Sequence, residues 1–336
     1  MKLFQIEEND ANQRLDKFLK KLLPNASKSL IYKFNRKDKI KVKFEGSEGK
    51  FRKRDNEYRI QEGDEIRVFL SDDEFATLQK VAVVNQENFS EKFNKDDIVF
   101  EDGELFIINK NAGINVHPGD HKTKETNVIA LVQDYLGEKL HSLTFKPSLI
   151  HRIDRDTSGI LMIAKKKDIL SKLVSDFKSH EKVQKTYYTI VKGKLSRNSG
   201  TITKKLLRLE NAQNTPKVQV SDKGLSAITH YKKIAEHSVE SNGKTIYFTE
   251  VEVQIETGRM HQIRVHMNAL GNPILGDKLY GDKQLNGFFI KNYGLKRQAL
   301  HAWKISFFHY GRNKAMNITA KIKTDLLDFL KNTKKK

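Results

Sequence analysis

The stretch HRIDRDTSGILMIAKK, residues 151–166, sets a carboxylate among cations. His151 and Arg152 stand directly before Asp154, and a turn-prone cluster, Arg155-Asp156-Thr157-Ser158-Gly159, follows it. The branched apolar run from Ile160 to Ala164 has the length of a buried strand. Asp154 is therefore expected in a loop entering a strand, next to fixed positive charge. A neighbouring cation favours the ionised carboxylate, the form that a carboxylate nucleophile needs; a surface salt bridge is the competing reading. In ETGRMHQIRVHMNALGNPILGDKLYG, residues 256–281, period-2 alternation predicts a strand with Gln262, Arg264 and His266 on one face and Ile263 and Val265 on the other. His261 and His266 read as hydrogen-bonded structural histidines. In KTYYTIVKG, residues 185–193, a further strand points Tyr187 and Tyr188 to opposite faces. Tyr188 reads as core; Tyr187 has a ring that can stack on a base and a phenol that can move a proton.

The elements that must hold these residues are set in a strongly basic chain. Its 336 residues suit two domains, and 62 Lys and Arg against 42 Asp and Glu give a net charge of +20. That surplus points to a polyanion, with nucleic acid first. An anionic membrane ranks lower, because no long basic amphipathic helix with an aromatic face is present. The absence of cysteine removes disulfides, thiolate catalysis and Cys-based zinc sites, and is compatible with a reducing cytoplasm. No apolar stretch approaches the roughly 18 residues of a membrane span, and the first residues lack a signal-peptide core. His117, His121, His151, His261 and His266 stand outside any HExxH pattern, so no metal is expected. GDKLYGDK lacks the GK[ST] of a phosphate-binding loop, and neither GxGxxG nor GxSxG occurs. No cofactor is expected.

Along the chain, Leu15, Phe18, Leu19, Leu22 and Leu23 predict an amphipathic helix ended by Pro24. Asn25 or Ser27 caps a second helix with Leu30, Ile31 and Phe34 inward. Alternation predicts strands at 40–44 and 64–70. From Arg14 to Arg59 sixteen Lys and Arg face six Asp and Glu, a local net of +10. Residues 71–98 read as a linker, with at most one short strand. Strands are expected at 98–100, 105–110, 185–193, 226–235, 245–257 and 302–308, and helices at 124–137 and 166–180. KNTKKK reads as a frayed cationic tail. Many strands with interspersed helices suggest a mixed, largely antiparallel α+β sheet.

HRIDRDTSG resembles the HRLDxxTSG signature of the RluA family of RNA pseudouridine synthases, with Ile153 in place of leucine, a swap of nearly equal volume. The resemblance makes Asp154 the catalytic aspartate. TGRMHQIRVH with GNPILGDKLYG resembles the family's TGRxHQIRVH and GHPIxGDxxYG, which makes Arg264 the arginine paired with that aspartate. KTYYTIVKG resembles its K-x-Y-x-x-x-V-x-G, which makes Tyr187 the active-site tyrosine. IINKNAGINVHPG (107–119) and LHAWKISFFH (300–309) are similar to further family segments, with Asn111 and Tyr310 where proline is usual. RLDKFL, the serine-rich start of the second helix and the basic IKV strand resemble the S4 RNA-binding domain. An S4 segment joined to HRxDRDTSG is most similar to the RluC/RluD branch, which acts on large-subunit ribosomal RNA.

The resemblance implies a small S4-like RNA-binding domain at 1–75, a linker at 76–97, and a pseudouridine synthase catalytic domain at 98–330 on a mixed, largely antiparallel sheet with flanking helices; 331–336 is the basic tail. Arg152 would fill the space left by a flipped-out base, and Arg14, Lys17, Lys28, Lys33, Arg36 and Lys41 would contact RNA. A cytoplasmic monomer without cofactor or metal is expected. A non-catalytic ribosome-assembly factor is the rival, opposed by retention of Asp154, Tyr187 and Arg264. An S4-containing RNA methyltransferase is opposed by the missing cofactor loop.

Overall fold

The structure, a computed structural model, describes residues 1–79, 93–118, 126–137, 140, 142–179, 181–209 and 217–334. His121 and most of the expected linker lie outside the described residues. The first elements are β1 (Lys2–Gln5), β2 (Gln13–Arg14), α1 (Leu15–Leu22), α2 (Lys28–Arg36), β3 (Ile40–Lys43), β4 (Arg59–Ile60), β5 (Glu65–Val68) and α3 (Asp72–Gln79). Next come β6 (Ile98–Glu101), β7 (Leu105–Lys110), α4 (Val128–Leu136), β8 (Ser148–Leu149), β9 (Ser158–Ala164), α5 (Lys167–Ser179), β10 (Gln184–Lys192), β11 (Ser199–Thr203), β12 (Leu206–Leu209) and β13 (Lys217–Val220). The last are β14 (Ile228–Ser241), β15 (Lys244–Ile255), α6 (Gln262–Ala269), α7 (Lys283–Tyr293), β16 (Leu300–His309), β17 (Lys314–Thr319) and α8 (Thr324–Thr333). They form two compact units. One holds the described residues of Met1–Phe93, Val132–Pro147 and Lys165–Asp168; the other holds those of Asn94–Leu131, Ser148–Ala164 and Ile169–Lys336.

In the first unit, β1, β5 and β3 form an antiparallel sheet in that order. Ile40, Val42, Ile66 and Val68 point inward by strand alternation and meet Leu15, Phe18, Leu19, Leu22 and Ile31 from α1 and α2. Ser27 caps α2, its Oγ accepting from the Leu30 amide at 3.1 Å. The unit does not close at residue 75. Residues 72–79 are α3 rather than linker, and Phe75 is buried in this core and stacks on Phe4 at 5.7 Å. A short helix that buries so few apolar residues carries little periodicity to read. The buried Asp10 carboxylate also gathers residues 142–144, accepting from Ser142, Leu143 and Thr144 at 2.6 to 3.0 Å.

The second unit is built on a ten-stranded sheet. Its main path is β11-β14-β15-β10-β16-β9-β7-β6, with β17 on β16 and β8 on β9. All these pairs are antiparallel except β16 with β9, so the expected mixed, largely antiparallel α+β sheet is present. β7 and β9 are buried at every position, as two-sided burial in the middle of a sheet requires. The parallel step has a steric condition. Gly159 sits at φ +111°, and a Cβ there would lie 2.2 Å from the Ala302 carbonyl oxygen. Gly159→Ala is expected to cost about 3 kcal/mol or more, from backbone strain plus overlap, read as a fall in chemical-denaturation stability of the full chain; a change below about 0.5 kcal/mol would mean that β9 and β16 can separate freely.

Two expectations fail locally, and one helix was not expected. Residues 262–269 are helix α6, not a strand. Gln262 through Met267 are all buried, and a helix buried all round shows no one-sided apolar stripe; the alternation of Ile263 and Val265 is incidental, since they pack into different apolar clusters. The tail is not frayed from residue 331, because α8 continues to Thr333, which is buried and donates to the Leu330 carbonyl at 2.8 Å. Helix α7 was not expected, although its Asp282 cap accepts from the Leu285 amide and Gly294 ends it in the left-handed region. Among the described residues, no helix is long and apolar enough to cross a membrane.

Candidate active site

Asp154 lies in the turn between β8 and β9, as the residue types predict. Its own carbonyl accepts from the Thr157 amide at 3.2 Å. The turn is fastened from both sides. Lys110, at the end of β7 and 1% exposed, donates to the carbonyls of Asn111, Ile114 and Arg155 at 2.7, 3.0 and 2.8 Å. Burial, with the charge of Arg297 added, pushes Lys110 down to about 7; the three carbonyls match the three protons of its ammonium form. Arg155 donates to the Gly113 carbonyl at 2.9 Å and Gln298 to the Thr157 hydroxyl at 2.7 Å. Arg297 donates to Ser158 Oγ at 3.1 Å and forks onto Asp325 at 2.6 and 2.9 Å. The side chain of Asp154 is thus presented from a fixed backbone, with 27% of its surface exposed.

The cation beside Asp154 comes from 110 residues further along. Arg264 of α6 donates from a terminal nitrogen to Asp154 Oδ2 at 2.9 Å. Its Nε and other terminal nitrogen fork onto the two oxygens of Asp277 at 2.6 and 2.9 Å. Burial works against the Arg264 charge, but the hydrogen bonds and charge of Asp277, and then Asp154, outweigh it and raise its pKa. Burial likewise tends to raise the Asp277 carboxyl, and the Arg264 bonds hold it below the usual range. Asp277 Oδ1 accepts in addition from the amides of Leu279 and Tyr280. Gly276 before it needs φ +76°, with a Cβ position 1.9 Å from the Arg297 carbonyl oxygen. One buried carboxylate therefore fixes the guanidinium plane and leaves its last edge for Asp154.

His261 approaches the same oxygen, with Nε2 at 3.9 Å from Asp154 Oδ2. Its Nδ1 meets the Tyr280 hydroxyl at 2.8 Å, and that hydroxyl accepts from the Val218 amide at 2.8 Å. The phenol proton is then free to go to Nδ1, which puts the ring proton of a neutral His261 on Nε2, toward Asp154. Burial, helped by the charge of Arg264 and opposed by Asp154, lowers the His261 pKa. Tyr187 stands on β10 where a bulge interrupts the pairing with β16: Thr186 pairs Lys304 and Tyr187 pairs Ala302, so Trp303 is the extra residue. Such a bulge re-aims a side chain. Burial and then the charge of Asp154 raise the Tyr187 phenol pKa, so it is protonated at neutral pH.

The motifs make Asp154, Arg264 and Tyr187 one expected site; the structure bonds Arg264 to Asp154 and sets Tyr187 where it feels the Asp154 charge. It corrects the source of the charge. His151 is not a cation: burial, with Lys185 nearby, pushes it down to about 3. It accepts from the Met162 amide at 3.2 Å and stacks on Phe177 at 4.8 Å. Arg152 is exposed. Asp277 and Tyr280 were not singled out from the sequence, although both stand in the GDKLYG segment. His266 bonds Thr229 Oγ1 at 2.9 Å and the Lys204 carbonyl at 3.2 Å, and is structural.

Residues 104–269 match the family described as RNA pseudouridylate synthase. The ribosomal large subunit pseudouridine synthase C of Buchnera aphidicola subsp. Schizaphis graminum is 32% identical over 329 residues, covering 98% of this chain and 96% of its own. The chain belongs to the RNA pseudouridylate synthase family. As a pseudouridylate synthase it is an isomerase that converts uridine in RNA to pseudouridine. The ribosomal large subunit pseudouridine synthase C of Haemophilus ducreyi is 34% identical over 95% of this chain and 92% of its own. The structure of human RNA Pseudouridylate Synthase Domain Containing 4 overlays 71% of this chain and 93% of its own, with a TM-score of 0.56 at 23% identity, which shows the shared synthase fold.

Proposed function

We propose that the chain isomerises specific uridines of large-subunit ribosomal RNA, with Asp154 as the nucleophile. The observation that carries the catalytic assignment is the buried Asp277–Arg264 fork, whose free edge holds Asp154 Oδ2 at 2.9 Å. Two similar chains named as ribosomal large subunit synthases, matching nearly end to end, support the ribosomal substrate. In the reaction the C1′–N1 bond breaks, the uracil turns, and C5 bonds to C1′; the C5 proton is lost and N1 gains one. Atoms and electrons balance without a redox partner. The target base has to leave the stack to reach Asp154, and the exposed guanidinium of Arg152 suits the vacated space. The deciding experiment incubates the protein with ribosomal RNA tritiated at uridine C5 and measures tritium release. Absence of release from both naked RNA and ribosomal particles would overturn the reading.

Tyr187 is assigned to the reacting base. Its phenol holds its proton, so it serves as a donor or a stacking ring rather than as a base. Tyr187→Phe is expected to leave RNA affinity within twofold and slow single-turnover chemistry by about 10²-fold. An unchanged rate would confine Tyr187 to stacking.

The basic first unit is read as an S4-like anchor for RNA, and the protein as a cytoplasmic monomer. Lys17, Lys28, Lys33 and Arg36 are exposed on α1 and α2, with Lys28 over the Tyr32 ring at 5.4 Å. Arg14 is removed from the contact set, because it is matched by Asp16 at 3.0 Å and by Glu57 at 2.9 Å. Changing Lys17, Lys28, Lys33 and Arg36 together to Gln is expected to weaken RNA binding and flatten its salt slope by up to about 0.7 per lost phosphate contact on single-stranded RNA. The saturating single-turnover rate should stay within about tenfold, or 1.4 kcal/mol. An unchanged slope would rule out this helix pair as an electrostatic anchor.

A further inference from the structure

The cations assigned so far in the first unit lie mainly on its helices, but its sheet has a second face, which carries exposed and half-buried side chains among the described residues. Strand register sets Leu3, Arg67 and Lys41 in one row across β1, β5 and β3. Their side chains point away from the helices, because the alternate residues Ile66, Val68, Ile40 and Val42 are the buried ones. Leu3 is 53% exposed and Phe69, two residues after Arg67 on the same face, is 37% exposed. Exposed large apolar groups in a row of cations need a reason.

Arg67 is the informative residue. Its guanidinium lies 3.7 Å from the centre of the Phe51 ring. Among the described residues it has no acidic partner, and its Nε is buried without a hydrogen bond. Lys41 lies over Phe69 at 5.9 Å. The next row is Gln5, Glu65 and Lys43, and its one carboxylate is already paired with Lys43. The face therefore carries a net positive charge and a flat cation without an acidic partner among the described residues, held on an aromatic ring. That combination fits single-stranded nucleic acid: a guanidinium plane and an aromatic edge accept unstacked bases, while the positive charge attracts phosphate. A duplex hides its base faces and meets only the charge.

We propose that the open face of the β1–β5–β3 sheet binds a single-stranded segment of the RNA substrate, with Arg67 on Phe51 and the exposed Phe69 as its stacking platform. This extends the RNA-substrate reading above and rests on it. The local net charge of +10 between Arg14 and Arg59 favours RNA over a protein surface as the occupant.

The test uses full-length protein and fluorescence anisotropy with a mixed-sequence single-stranded 12-mer RNA and a hairpin duplex. Arg67→Gln is expected to weaken single-strand binding about 5- to 10-fold and reduce its salt slope by about 0.7. Phe69→Ser should weaken it at least about fivefold with the slope unchanged. Duplex affinity should change less than twofold in both. Leu3→Ser, at the most exposed apolar position of the row, provides a third variant in case either of the others fails to fold. Single-strand affinity within twofold of wild type in the folded variants would overturn the proposal, and would turn the face toward a protein partner. Equal losses for single strand and duplex would overturn it too, since that is charge without stacking. The readout is binding, so its failure is separate from failure of the tritium-release assay, which alone decides the isomerisation.

Discussion

Asp154→Asn is expected to lower the saturating single-turnover rate by at least about 10³-fold, about 4 kcal/mol of barrier, while RNA affinity changes less than threefold. The amide has the shape of the carboxylate but is not a nucleophile. Structural loss is not expected to mask the effect. The turn is held by Lys110, Gln298 and Arg297 through its backbone, Thr157 and Ser158, none of which involves the Asp154 carboxylate. Arg264 also keeps its fork on Asp277 in the variant. The measurement is tritium release with enzyme in excess over C5-labelled RNA, alongside anisotropy for affinity. Residual activity above a few per cent in a clean preparation would remove Asp154 from the nucleophile's role.

Arg264→Lys is expected to slow single-turnover chemistry by about 10²-fold or more despite keeping the charge. Arginine uses three separate nitrogens here, two for Asp277 and one for Asp154. A lysine ammonium is a point charge on a flexible stem and cannot reproduce the fork. It leaves the wholly buried Asp277 with fewer donors, a costly arrangement in a dry site. Asp277→Asn should act in the same direction, because Arg264 then loses the partner that fixes its plane. The two variants should share a pattern: a falling rate at saturating enzyme, with RNA affinity little altered. A near-normal rate for Arg264→Lys would show that the Asp154 carboxylate is positioned without the guanidinium, and that the proposed pair does no catalytic work.

Much of the second unit was legible because its elements follow simple periods. The run from Ile160 to Ala164 reads as a buried strand from branched apolar residues alone, and β9 is buried at every position. The spacing from Ile169 to Phe177 reads as α5, and Tyr188 reads as core, where it is 2% exposed. The failures have separate physical causes. Helix α6 is buried on all sides, so its residues answer to several neighbours at once, and their alternation copied a strand. Helix α3 buries little apolar surface and left no signal. His151 looked like half of a basic pair, yet its charge is decided by burial against Phe177, which local sequence does not contain.

By itself the sequence singled out the candidate site residues and the partner class: Asp154, Arg264 and Tyr187 through motifs that resemble a known family, and RNA from the cationic surplus. Those are properties of residue type, order and summed charge, which survive without coordinates. Only the tertiary structure decided what holds them. It set Arg264 between the carboxylates of Asp154 and Asp277, brought His261 to 3.9 Å from Asp154, and used Gly159 to let β9 and β16 pair. The physical reason is distance. Hydrogen bonds, desolvation and steric fit act over a few ångströms, and Arg264 and Gln298, which bond Asp154 and Thr157, lie more than a hundred residues further along the chain.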